Sequence, residues 1–193
     1  MKHTKLYLNI LLFITLTAFK VHAQEEVQPS FPGGMPEFSK YILKNLKYPD
    51  VAAVVGLTGK VNVNFVVEKD GSVVDVKPMK CLGAGCESEA VRVIAMSPKW
   101  SPGILYGKNV RVMYTIPVSF APNGPSKPTE LDKLRKSKYG FVFYIKGNTY
   151  TINEAENLLG KSFDPTAIET VEAYDNSKYA MPDKKGVYLI VMK

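Results

Sequence analysis

Residues 60–78 read KVNVNFVVEKDGSVVDVKP. Apolar and polar side chains alternate through the first half, Asp70-Gly71 interrupts them, and the alternation resumes. Alternation with period two marks a strand with one dry and one wet face, and Asp-Gly is a strong hairpin signal. The pattern puts Val61, Val63, Phe65 and Val67 on the dry face and Asn62 and Asn64 on the wet face. On the return strand Val74 and Val76 alternate with Asp75 and Lys77. A half-wet sheet of this kind has edges, and what meets them becomes the central question.

The neighbouring segments supply the rest of a domain. Upstream, FPGGMPEFSKYILKNLKYP predicts a helix from about Pro36 to Leu46, with Phe38, Ile42 and Leu46 near helical spacing and a stop before Pro49. Downstream, a helix is expected from about Glu87 to Met96, with Ala90, Val93 and Ile94 inward and Pro98 ending it. Then VRVMYTIPVSF alternates from Val110 to Phe120, with Val110, Val112, Tyr114, Ile116, Val118 and Phe120 on one face. Arg111, Met113, Thr115 and Ser119 lie on the other, where Pro117 interrupts the set. Proline cannot donate to a ladder, so this strand is expected at the border of the sheet.

APNGPSKPTE, residues 121–130, has linker composition. A second α+β unit follows over 131–193. DKLRKSK at 132–138 reads as a solvated helix face or linker, and YGFVFYIKG as a strand. TINEAENLLG starts with a capping box from Thr151 to Glu154 and stops at Gly160; DPTAIETVEAY makes a capped turn into a strand, and KGVYLIVMK is a final strand. About 63 residues is a marginal size for independent folding, which suggests docking on the first unit.

The chain has 193 residues, 46% of them hydrophobic, enough for a real core. Its first residues, MKHTKLYLNILLFITLTAFKVHAQ, place Lys2 and Lys5 before an apolar run from Leu6 to Ala18 and a small-residue exit at Ala23. This is the layout of a secretory signal peptide over 1–23, cut near Ala23. The competing reading is an uncleaved inner-membrane anchor, although the run is shorter than the roughly 20 apolar residues that span a bilayer. Cleavage would remove Lys2, Lys5 and Lys20 and lower the formal charge from +7 to +4. That excess is too small and too dispersed for a nucleic-acid partner.

Both histidines, His3 and His22, fall within the signal. A mature chain without imidazole has no Ser-His-Asp triad, no Cys-His pair and no histidine metal ligand. The 18 acidic residues are scattered, and none stands out as a converging pair. Cys81 and Cys86, in CLGAGCESEA, are the only thiols. In an exported protein they read as a disulfide candidate across flexible Gly83-Ala84-Gly85, or as two idle thiols; the spacing is not that of a redox motif.

Tyr48-Pro49, GLTGKVNVNFVVEKDGSVVDV, GCESEAVRVIAMSPKWSPG and VRVMYTIPVSF, in this order, resemble the C-terminal domain of the TonB family of energy transducers, in its Bacteroidetes form. The resemblance covers about 31–120. It implies an α+β fold of the TonB C-terminal type (helix, hairpin, helix, edge strand), followed by the small second α+β unit. It also implies a periplasmic binding module with no catalysis and no cofactor. Its partner would be the TonB box of a TonB-dependent outer-membrane receptor, added to the border strand as one more strand. Carried over by position, the pairing residues are Val110, Arg111, Val112, Met113, Tyr114, Thr115 and Ile116, with Asn45, Tyr48 and Pro49 as further receptor contacts. No small-molecule substrate follows from it, and a homodimer through paired edges stays open.

Full transducers of the family add an uncleaved membrane helix and a long proline-rich spacer, which this sequence does not show. NLKYP also stands where well-known members have Gln-Pro ahead of Tyr-Pro. The expectation is receptor binding, without energy transduction by this chain alone. The second unit resembles the plug-like modules of TonB-dependent receptors through DPTAIETVEAYDN and KGVYLIVMK. The alternative to peptide recognition is a structural or envelope-interaction protein that uses the fold as a scaffold for cell-wall or protein binding. An enzyme would need a converging carboxylate pair in a cleft.

Overall fold

The computed structural model describes residues 26–121, 127–175, 177–179 and 181–193. The expected signal peptide and its cleavage site lie outside the described residues. Among those residues, no helix is long and apolar enough to cross a membrane.

The first unit runs β1 (Glu26–Val27), α1 (Gly34–Asn45), α2 (Asp50–Val55), β2 (Gly59–Val67), β3 (Val73–Pro78), α3 (Cys86–Ala95), β4 (Gly103–Leu105), β5 (Lys108–Val110) and β6 (Val112–Phe120). The strands form two antiparallel sheets, ordered β3-β2-β6 and β1-β4-β5. The predicted faces of β2 hold: Val61, Val63, Phe65 and Val67 are fully buried.

The return strand departs from plain alternation. Asn64 pairs with Lys77 and Val66 with Val74, so Phe65 faces two residues, Asp75 and Val76. Asp75 takes up the extra length at φ 54°. This bulge puts Val73 and Val76 against the core, while Val74 shares the outer face with Val66. Val74 and Val76 are therefore on opposite faces, because one inserted residue reverses every side chain beyond it.

Two elements carry weak sequence signals. α2 is a short helix between Pro49 and Gly56, which ends it in the left-handed region at φ 70°. The β4–β5 hairpin turns at Tyr106-Gly107, and it splits the expected 110–120 strand after Val110.

The second unit runs β7 (Thr129–Glu130), α4 (Leu131–Arg135), β8 (Gly140–Ile145), β9 (Asn148–Thr151), α5 (Ile152–Leu159), β10 (Ser162–Phe163), β11 (Ile168–Ala173) and β12 (Val187–Met192). Its main sheet is ordered β11-β12-β8-β9, with β12 parallel to β8. The capping box forms as expected between Thr151 and Glu154. The linker is shorter than its composition implies, because Thr129 and Glu130 pair with Phe163 and Ser162. DKLRKSK is only in part a solvated face: its Leu134 is fully buried, as is Leu131 just before it.

One hydrophobic core joins the units, running from Phe31 and Trp100 through Val55 and Leu57 to Leu131, Phe141 and Val171. The second unit caps α2, whose last carbonyls have no partner within so short a helix. Thr129 Oγ1 donates to the Val55 carbonyl at 2.9 Å and Lys133 Nζ to that of Ala53 at 3.2 Å. Lys138 pairs with Asp50, in the first turn of α2, at 2.6 Å.

Candidate functional site: the free edge of β6

β6 alternates as its sequence demands. Ile116, Val118 and Phe120 are 1–3% exposed, whereas Met113 on the opposite face is 71% exposed. Tyr114 is half-buried and sets its ring edge-on to Phe65 at 5.9 Å and Trp100 at 5.8 Å. Trp100 continues the cluster to Phe31 and Phe38. These ring contacts anchor the strand from beneath and leave its outer edge unengaged.

Which backbone groups face that edge follows from one bond. The Asn62 carbonyl accepts from Met79 N–H at 2.8 Å, so the Asn62 backbone points toward β3. Asn62 lies opposite Pro117 on β6. In an antiparallel ladder both residues of such a pair turn their N–H and C=O away from each other. Pro117 therefore faces outward, and by the same alternation so do the N–H and C=O groups of Met113, Thr115 and Ser119. Among the described residues no other strand pairs with this side of β6.

The other edge of the sheet is blunted. β3 carries the Asp75 bulge, Lys77 and a terminal Pro78, the devices by which sheets discourage further pairing. β6 is nine residues long and pairs regularly with β2 throughout.

The expected pairing residues divide. Val112, Met113, Tyr114, Thr115 and Ile116 lie on β6. Val110 belongs to β5, paired with Gly103 in the other sheet, and Arg111 is the break between them. The chain leaves one sheet for the other here, so the continuous edge begins at Val112 rather than Val110. Arg111 bridges the strand ends on the outer face, with Nε 2.8 Å from Glu68 and Nη2 2.9 Å from Asp75. Glu68 and Asp75, which no sequence motif singles out, hold Arg111 at the entrance to this candidate edge. The β2–β6 register, which sets Val67 opposite Val112 and hence Glu68 beside Arg111, brings them together, and no local signal in the sequence shows it. Thr115 Oγ1 also donates to Asn64 Oδ1 at 2.6 Å.

Asn45, Tyr48 and Pro49 are not brought to this window. Tyr48 packs its ring 6.2 Å from Phe120, the last residue of β6, and donates its hydroxyl to the Leu57 carbonyl. Burial pushes its phenol up to about 12. Asn45 donates to the Tyr41 carbonyl at 2.8 Å, and its own carbonyl accepts from Arg92 at 2.7 Å. Pro49 precedes α2 as its N-cap. All three brace the junction of α1, α2 and α3.

Cys81 and Cys86 are both free: Cys81 is exposed and Cys86 fully buried. Burial, with a smaller contribution from Glu87, pushes the Cys86 thiol up to about 12. The intervening loop is bonded to the second unit. Ala84 N–H donates to the Val171 carbonyl at 2.7 Å, and Val171 N–H to that of Leu82 at 3.3 Å.

Two clefts lie elsewhere. One opens between the units and is lined by Lys60, Lys80, Cys81, Glu169 and Lys193 among others. In the other, Asp132 and Glu156 converge on the Arg135 guanidinium rather than on each other. Among the described residues no group of three His, Cys, Asp or Glu could hold a metal ion. What the site as a whole can offer is backbone donors and acceptors along an apolar-floored edge.

Residues 44–122 match the family described as the Gram-negative bacterial TonB protein C-terminal. The match includes β2, β3, α3 and β6, and the second unit lies outside it. Among solved structures, the chain is similar to the NMR solution structure of the Helicobacter pylori TonB C-terminal domain. Identity is 25% over 49% of this chain and 89% of that chain, with a TM-score of 0.36. No curated protein matches the chain. The family is envelope-associated and linked to transport, and is not a family of enzymes.

Proposed function

We propose, for a chain whose residues 44–122 match the TonB C-terminal family, that it binds extended segments of TonB-dependent outer-membrane receptors by strand addition along β6. The observation that carries this reading is the unpaired edge of β6, with the backbone groups of Met113 and Thr115 turned outward. Backbone pairing supplies affinity without regard to sequence, and the side chains flanking the groove supply discrimination. An added strand would set alternate side chains beside Val112, Tyr114 and Ile116 on the apolar side. The remainder would lie beside Met113 and Thr115 on the wet side. Export to the periplasm after cleavage near Ala23 belongs to the same reading, since that is where such receptor segments are accessible.

The test is a titration of the ¹⁵N-labelled chain with peptides covering receptor N-terminal segments from the same genome. Amide shifts centred on 112–116 are expected. If no such peptide shifts them while the chain is retained on isolated cell-wall glycan, the scaffold reading replaces this one.

A further inference from the structure

Strand addition of this kind requires an uninterrupted row of edge groups, and the geometry of β6 limits how long that row is. On the N-terminal side it begins at Val112, where β6 and its pairing with β2 start; Arg111 lies in the break and Val110 already belongs to the other sheet. On the C-terminal side, the first residue beyond Thr115 that faces outward is Pro117, which has no N–H to offer. We infer that Pro117 is a stop that confines an incoming strand to the five-residue window Val112–Ile116. The inference rests on the strand-addition reading and deepens it by assigning the partner a length.

Three observations support the stop. First, Pro117 faces the open edge because its partner Asn62 is bonded to Met79 on the far side of the sheet. Second, β6 continues past Pro117 to Phe120 and stays paired with β2, so strand geometry alone would let an added strand continue to Ser119. Third, an incoming carbonyl opposite Pro117 would lose water and meet a pyrrolidine ring instead of a donor, an uncompensated desolvation. Met113 and Thr115 each offer an N–H and a C=O, and Pro117 adds a lone acceptor. The segment that fits is short and extended, with apolar residues at the positions facing Val112, Tyr114 and Ile116.

The same stop guards the unliganded protein. A nine-residue edge with a complete row of donors is a template for pairing with a second copy, and an edge proline is one device that prevents it.

The experiment uses the full ¹⁵N-labelled chain, Pro117→Val and Pro117→Ala variants, and capped peptides VTVTV, VTVTVTV and VTVTVTVTV as probes. In the unmodified chain, shifts at Met113 and Thr115 that stop short of Ser119 are expected, with affinity level beyond five residues. In the variants the longer peptides should gain about three- to tenfold, the worth of one recovered hydrogen bond, while VTVTV should not. Their shifts should then extend to Ser119. Shifts that already run through Ser119 in the unmodified chain, or variants with unchanged length dependence, overturn the stop and leave strand addition standing. Absence of any β6 shift in all three proteins overturns both.

Discussion

The Ala84 amide donates to the Val171 carbonyl across 2.7 Å, and the loop that carries Ala84 meets β11 in a single parallel bridge between Gly83 and Val171. The second unit therefore seats on the cysteine loop, and β6 is left free. Gly83 makes this approach possible. Its φ is +87°, and a Cβ there would lie 2.0 Å from the Val171 oxygen. Gly83→Ala should cost about 2 kcal/mol or more, from left-handed strain plus displacement of the bridge. Gly107→Ala, also at positive φ but with nothing within 4 Å, should cost only about 1 kcal/mol. Urea unfolding gives both values, and hydrogen exchange at Ala84 and Val171 should be faster in the first variant alone.

Thr129 is 5% exposed and gives its hydroxyl proton to the Val55 carbonyl. Thr129→Val keeps the shape and deletes the donor, leaving a buried acceptor unpaired at a cost of about 1–3 kcal/mol. Thr129→Ser should recover part of it. Loss of stability in the serine variant equal to that in the valine variant would place the effect in packing rather than in the bond.

Glu89 accepts from Arg92 at 2.6 and 2.7 Å and from the Lys47 amide, tying α3 to the end of α1. These bonds, led by that from Arg92, hold its carboxyl below the usual range. A depressed carboxylate contributes stability above its unfolded pKa and loses it as pH falls through the lower folded value. The unmodified chain should thus weaken below about pH 4.5, the ordinary glutamate value. Glu89→Gln should be about 1–2 kcal/mol less stable at pH 7. The gap should close in acid, as denaturant midpoints across pH would record.

Thiol chemistry should separate the two cysteines. With Cys86 buried and its thiol pushed up to about 12, the native chain should react with an aromatic disulfide reagent at Cys81 only, and at both in denaturant. Cys86→Ser, which buries a hydroxyl, should cost about 1–3 kcal/mol, whereas Cys81→Ser should change stability by less than about 0.5 kcal/mol. Two equally fast thiols in the native chain would contradict the buried position of Cys86.

Much of the candidate site could be read from residue order. The alternation from Val112 to Phe120 predicted which side chains are dry, and Pro117 predicted a border strand, because both signals are local properties of the chain. Residue order does not show where that strand breaks: Val110 continues the alternation, yet its backbone pairs with Gly103 in another sheet. Nor does it show that Tyr48 packs beside Phe120 while Asn45 and Pro49 are taken up at the helix junction.

The faces of β2 and β6, the Thr151 capping box and the α+β order were set by residue chemistry within a few positions of each other. No wider context is needed to decide whether a valine two residues along faces the same way. Folding in three dimensions decided the rest. The Asp75 bulge depends on matching β3 against β2, and α2 depends on Thr129 and Lys133 capping carbonyls more than 70 residues away. The freedom of the β6 edge depends on the second unit binding the cysteine loop instead. Each of these is a competition between distant partners for backbone hydrogen bonds, and its outcome is fixed by which surfaces can be buried together.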